Sequence, residues 1–139
     1  APSQPGFLAY NSATDASQAT TATIDFDTEV YDDGSDFVTD TFTAPVTGRY
    51  VLTVSVATVG VSTANQDRAI DLVTSNRTYR LAQALVASAV GVLILSGSVV
   101  ADMDSGDTAT VQIILSGGTV DITGGTTANG TFFSGRLLL

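Results

Sequence analysis

At 139 residues the chain has the length of one domain, and its 14 acidic residues against 5 basic ones give a net charge of −9. Cys, His and Lys are absent, which excludes disulfides, thiol catalysis, zinc sites built on Cys or His, and every Ser-His or Cys-His relay. Charged residues make up only 14% against roughly a quarter in ordinary soluble proteins, and an acidic balance argues against a nucleic-acid partner, which needs a basic stripe.

In chain order, residues 1–6 read as a short N-terminal arm ahead of a single domain over 7–139, and Pro2, Pro5 and Phe7 are candidate anchor residues. The opening APSQPGFLAY has neither the basic nor the apolar stretch of a signal peptide. Strands are expected near 7–12, 21–27, 29–32 and 36–43, with a polar and mobile loop over 11–22. In 48–59, Tyr50, Leu52, Val54 and Val56 alternate with Arg49, Val51, Thr53 and Ser55, the two-residue period of a half-buried strand. Further strands are expected near 67–74, 77–87 and 90–103. The uncharged run Ala84–Ala101 reaches the lower edge of membrane-spanning length, but its serines, glycines and β-branched residues read instead as two adjacent buried strands. In 108–115, Val111, Ile113 and Leu115 share a face, and 117–130 reads as a second mobile loop. The last strand, 131–139, is apolar on both faces: Phe133, Leu137 and Leu139 oppose Phe132 and Leu138. Such a strand must be covered on both sides. About nine or ten short strands separated by Gly, Asn, Asp and Pro turns make an all-β sandwich or jelly roll.

Two consecutive segments carry a resemblance. Ile24-Asp25-Phe26-Asp27-Thr28-Glu29-Val30-Tyr31, then Phe42-Thr43-Ala44-Pro45-Val46-Thr47-Gly48-Arg49-Tyr50, resemble the core signature of the complement C1q globular-head family, within the tumour-necrosis-factor-like jelly-roll superfamily. Phe7-Leu8-Ala9-Tyr10 resembles its opening strand. Gly106-Asp107-Thr108-Ala109-Thr110-Val111 and Phe133-Ser134-Gly135-Arg136-Leu137-Leu138 resemble its Gly-Asp turn and terminal strand. Two departures stand out: Asp40 stands where the family usually has glycine, two residues before the aromatic of the Phe-Thr-Ala-Pro motif, and residues 1–6 hold no collagen-like Gly-X-Y repeat. The resemblance implies a homotrimer of ten-stranded jelly rolls joined by apolar strand faces. Tyr50, Leu52, Phe132, Phe133, Leu137 and Leu139 are the candidates for that contact, the alternative being that each fills the core of its own chain.

Seven of the 14 acids fall within 25–40. Strand alternation places Asp25, Asp27 and Glu29 on one face, and with Asp32 they form a candidate calcium site, since oxygen-rich clusters suit that ion and family members bind it. The competing reading is a solvated acidic face. Asp104-Ser105-Gly106 matches the aspartic-protease triplet, but that chemistry needs two such aspartates and the family's Gly-Asp turn already accounts for these residues. Asn76-Arg77-Thr78 and Asn129-Gly130-Thr131 match glycosylation sequons and read more simply as turns. Arg68, Arg77 and Arg80 are candidates for intersubunit pairs or for an anionic ligand. The leading functional expectation is a non-enzymatic trimeric structural module on a virus or phage surface, either a capsid decoration protein or a fibre head. Its partners would be itself and major capsid or tail proteins, with no nucleic acid and no membrane. The alternative is an extracellular C1q-like recognition module for glycan or protein ligands.

Overall fold

The computed structural model describes residues 4–19, 21–60, 66–86, 91–125 and 130–138. Among these every regular element is a strand: β1 (Gly6–Tyr10), β2 (Asp15–Gln18), β3 (Ala22–Thr23), β4 (Thr28–Asp33), β5 (Phe37–Val38), β6 (Thr41–Thr43), β7 (Gly48–Val59), β8 (Gln66–Thr74), β9 (Thr78–Val86), β10 (Val92–Met103), β11 (Thr108–Ser116), β12 (Val120–Ile122) and β13 (Phe132–Leu138). They form two antiparallel sheets of a jelly-roll sandwich.

In the first sheet β7 pairs with β10 along its whole length on one edge. Its other edge takes β13 and then β12, and β1 and β4 follow beyond β13, with β2 beyond β12. The second sheet runs β5-β6-β11-β8-β9, and β3 shares an edge of β11 with β6. β1 and β13 are neighbours, with Gly6 opposite Arg136, so the first and last strands lie side by side.

The core lies between the sheets and follows the alternation of the sequence. Tyr50, Leu52, Val54 and Val56 point inward from β7, and Val111, Ile113 and Leu115 from β11. Phe7 is the hub, its ring 4.8 Å from Phe37, 4.7 Å from Phe42 and 4.9 Å from Phe133. The segment around Phe42 and Tyr50 closes the end of the sandwich: the Ala44 N–H donates to the Asp107 carbonyl at 2.8 Å, and the Tyr50 hydroxyl donates to the Val46 carbonyl at 2.6 Å. Gly135 is required by contact. A Cβ there would lie 2.8 Å from the Phe7 ring.

Five expectations change. The loop expected over 11–22 contains β2, and the one over 117–130 contains β12; the two pair with each other, anchored by the buried Val120 and Ile122. The strand expected over 21–27 is reduced to Ala22–Thr23 in the ladder, and that over 36–43 divides into β5 and β6 at Thr39 and Asp40, which have φ of +48° and +62°. Glycine adopts that left-handed backbone without the strain a Cβ brings, which fits the glycine expected at Asp40 from the resemblance. Here the Asp40 carboxylate accepts the Phe26 N–H at 2.6 Å, which holds the turn in another way. Finally, β9 and β10 are not hydrogen-bonded neighbours, and Leu85, Val92, Ile94 and Val100 are exposed. The sandwich closes on that side by backbone approach at Gly97, where a Cβ would lie 2.8 Å from the Leu81 carbonyl oxygen.

Candidate functional site

With alternate residues turned inward, the outward face of the first sheet is set by register. One row across β4, β1, β13, β7 and β10 reads Tyr31, Leu8, Ser134, Thr53, Ser98. The next, toward the chain ends, reads Asp33, Gly6, Arg136, Val51, Val100, and beyond it lie Leu138, Arg49 and Asp102. In the opposite direction come Tyr10 beside Phe132, then Ile94 and Val92 along β10. This face is therefore a field of aromatic, aliphatic and hydroxyl side chains, with Asp33, Arg136, Arg49 and Asp102 toward the chain ends and Asp121 of β12, opposite Val59, at the other end. Tyr31 is 46% exposed, Val100 52% and Ile94 55%. The outward face of the second sheet is different: Gln112, Asp71 and Arg80 make a polar row, and Arg80 is ion-paired to Asp71.

The contact residues inferred from sequence fall mostly on the wrong side of this sheet. Tyr50, Leu52 and Phe133 have no exposed surface and Leu137 very little, because each points between the two sheets and packs the core of its own chain. Phe132, with the opposite parity, does face outward, half-buried beside Tyr10. Leu139 lies outside the described residues. Of the anchor candidates, Phe7 is the centre of the aromatic core and cannot serve as a free anchor. Pro5 is half-buried with its carbonyl accepting the Leu137 N–H at 3.0 Å, and Pro2 lies outside the described residues.

At the pole away from the chain ends, Asp15, Asp25, Asp27, Glu29 and Asp40 line a cleft of about 410 Å³ together with Asn11 and Phe26. The candidate calcium set is not assembled there. Asp32 is turned away: its carboxylate accepts the N–H groups of Asp36 at 2.9 Å and Phe37 at 3.1 Å, closing the turn after β4. The Asp27 carboxylate accepts the Ser12 N–H at 2.9 Å and the Ser12 hydroxyl at 2.7 Å, and these bonds hold it below the usual carboxylate range. Burial, followed by the nearby charges of Asp15 and Asp40, pushes Asp25 above that range. Among the described residues no three acidic side chains are grouped to hold a metal ion. These carboxylates instead brace loops, with a residual mutual repulsion.

The arginines expected to reach a neighbour are engaged within the chain. Arg77 pairs with Asp102 at 3.0 Å, and Asp102 also accepts from the Tyr79 hydroxyl. Arg80 pairs with Asp71. Arg68 is buried between the sheets and donates to the Thr58 hydroxyl at 2.5 Å, and burial lowers its pKa. Sequence order hid the first of these, since Arg77 and Asp102 meet only through the fold. Asp104-Ser105-Gly106 is the tight turn from β10 to β11: the Asp107 N–H donates to the Asp104 carbonyl at 2.9 Å, and Gly106 has φ +94°. Asn76 is in the β8–β9 turn with its amide donating to the Asp102 carbonyl at 2.9 Å, and Asn129 lies outside the described residues.

A model of the C1q domain matches residues 6–138. In structure the chain is similar to the globular domain of zebrafish complement 1qA protein, with a TM-score of 0.70 and 20% identity over 97% of this chain and 98% of that one. It is also similar to murine APRIL (TM-score 0.66, 16% identity, 98% and 100% covered). Eiger TNF from S. frugiperda follows the same fold (TM-score 0.65, 12% identity, 97% and 94% covered). At these identities the likeness is one of fold. Among curated protein sequences none matches this chain.

Proposed function

Because this chain belongs to the C1q domain family, we propose that it works as a non-enzymatic recognition module, self-associated as a homotrimer through the outward face of its first sheet. The observation that carries this reading is the contrast between the two outward faces. One centres on the Asp71–Arg80 pair, with Leu85 exposed further along β9, and the other sets Tyr31, Leu8, Val51, Phe132, Ile94 and Val100 among hydroxyl side chains. Exposed apolar area of that extent is a feature of subunit contacts. A threefold ring closes when the two flanks of this face meet each other on neighbouring copies. In that ring the acidic cleft and its surrounding loops, at the pole away from the chain ends, stay open to a ligand.

Light scattering on the full chain at micromolar concentration tests this. The expected mass is about three times 14.2 kDa, and Val100→Asp, which places a charge in the field, is expected to shift it toward the monomer without lowering β-sheet content. A wild-type monomer sinks the reading. Carriage on a virus or phage particle, as a capsid decoration protein or fibre head, is a narrower form of the same proposal. Mass spectrometry of purified particles separates it from an extracellular head.

A further inference from the structure

On the outward face of the first sheet the arginines lie at the end where the chain begins and ends. Of the five arginines, Arg77 and Arg80 are paired within the chain and Arg68 is buried. The remaining two, Arg49 and Arg136, are exposed on this face, on neighbouring strands and one row apart. Neither guanidinium has an ion pair or hydrogen bond among the described residues. Asp33 is in the same position. It is exposed at the β4 edge of the same row as Arg136, and its carboxylate has no partner among the described residues.

Gly6 stands between Asp33 and Arg136 and presents no side chain, so the row is interrupted by a slot. A Cβ on Gly6 would lie 3.8 Å from the Asp33 carboxylate and 3.6 Å from the Arg136 Cβ. Gln4, Pro5 and Tyr31 complete a cleft of about 380 Å³ around this slot. The guanidinium and the carboxylate thus flank an open gap and do not close on each other. Covering an unpaired guanidinium is strongly unfavourable, whereas one that meets a carboxylate recovers much of that cost. In a threefold ring each contact joins two different patches, so every copy offers one flank to the neighbour on one side and the other flank to the neighbour on the other.

We propose that Arg136 of one copy pairs with Asp33 of the next, with Arg49 one row away extending the same positive strip, and that this pair fixes the rotation of the copies about their axis. The inference rests on the self-association reading above. The apolar field around Val51, Val100 and Phe132 drives association but is non-directional. The ion pair supplies the register that the field lacks.

Charge exchange tests the pairing: Arg136→Asp, Asp33→Arg, and the two together in the full chain. Mass is followed by light scattering across a dilution series, and each variant is checked by thermal melting. Each single variant places like charges opposite one another and is expected to raise the dissociation constant about 30-fold or more. The double variant, which restores opposite charges with the roles reversed, is expected to recover the wild-type mass. Single variants that stay associated like wild type overturn the proposal while leaving the self-association reading intact. Single variants that dissociate without rescue in the double overturn the Arg136–Asp33 pairing. A wild-type chain that is monomeric while folded overturns the self-association reading and the pairing with it.

Discussion

Phe7 offers the sharpest test of how this sandwich is held together, because the same residue at the start of the chain could serve as an exposed anchor or as the centre of the core. In the structure its side chain is fully buried and its ring meets those of Phe37, Phe42 and Phe133, all within 5 Å. A phenylalanine that loses about 200 Å² of exposure on folding contributes up to about 5 kcal/mol at 25 cal/mol per Å². Large-to-small changes at such sites cost about 3–5 kcal/mol. Phe7→Ala is therefore expected to lower stability by about 3–5 kcal/mol, and at about 3–5 °C per kcal/mol for a domain of this size the melting midpoint should fall by roughly 10–20 °C. Phe7→Leu keeps most of the volume but loses three ring contacts, each worth about 0.5–1.5 kcal/mol, and should fall in between. Midpoints are compared by circular dichroism at one fixed protein concentration, since the midpoint of any self-associating chain depends on concentration. A Phe7→Ala chain melting within about 3 °C of wild type would refute the core assignment.

Three further changes probe other parts of the structure. Gly135→Ala forces a methyl group against the Phe7 ring and should cost about 1–3 kcal/mol by overpacking, measured by urea unfolding. Asp40→Gly relieves the left-handed backbone at the β5–β6 turn but gives up the carboxylate bond to the Phe26 N–H, so unfolding should move by less than about 1 kcal/mol; Asp40→Val keeps the strain without the bond and should be clearly worse. Asp25 has a raised pKa, so its ionised form is disfavoured by the fold: the group adds to stability below its ordinary value and that contribution is lost as pH rises through the folded value. Asp25→Asn should therefore raise the melting midpoint at neutral pH, with the gain disappearing at about pH 3. Asp27 runs the other way, its lowered pKa adding stability that is lost as pH falls through its folded value, so Asp27→Asn should destabilise at neutral pH and not in acid.

Strand alternation in 48–56 and 108–115 was legible because a two-residue period over a half-buried strand leaves little choice of face. The Phe42–Tyr50 segment was legible for a different reason: it is the closing turn of the sandwich, where the Ala44 N–H is tied to the Asp107 carbonyl and the Tyr50 hydroxyl to the Val46 carbonyl. The β2–β12 pair was not legible, because only Val120 and Ile122 in a run of Gly and Thr point to the core and the partner strand is polar. Nor was the direction of the apolar residues on β13. Both parities are apolar, so the sequence at 131–139 could not say that Phe133 packs inside while Phe132 faces out. The acidic segment misled for a related reason. Alternation grouped Asp25, Asp27 and Glu29, but the main-chain donors that occupy Asp27 and Asp32 come from Ser12 and from the next turn, which spacing alone does not reveal.

The pairing of the first strand with the last fixes how this domain can be handled and displayed. Gly6 and Arg136 sit one strand spacing apart, roughly 5 Å, so a surface tether, a fluorophore or a fused partner attached through either end leaves from the same pole. A sensor chip loaded in this way presents the acidic cleft to the solution in one uniform orientation. Copies written in tandem as a single polypeptide would also need connectors only between these neighbouring ends, never along the height of the sandwich.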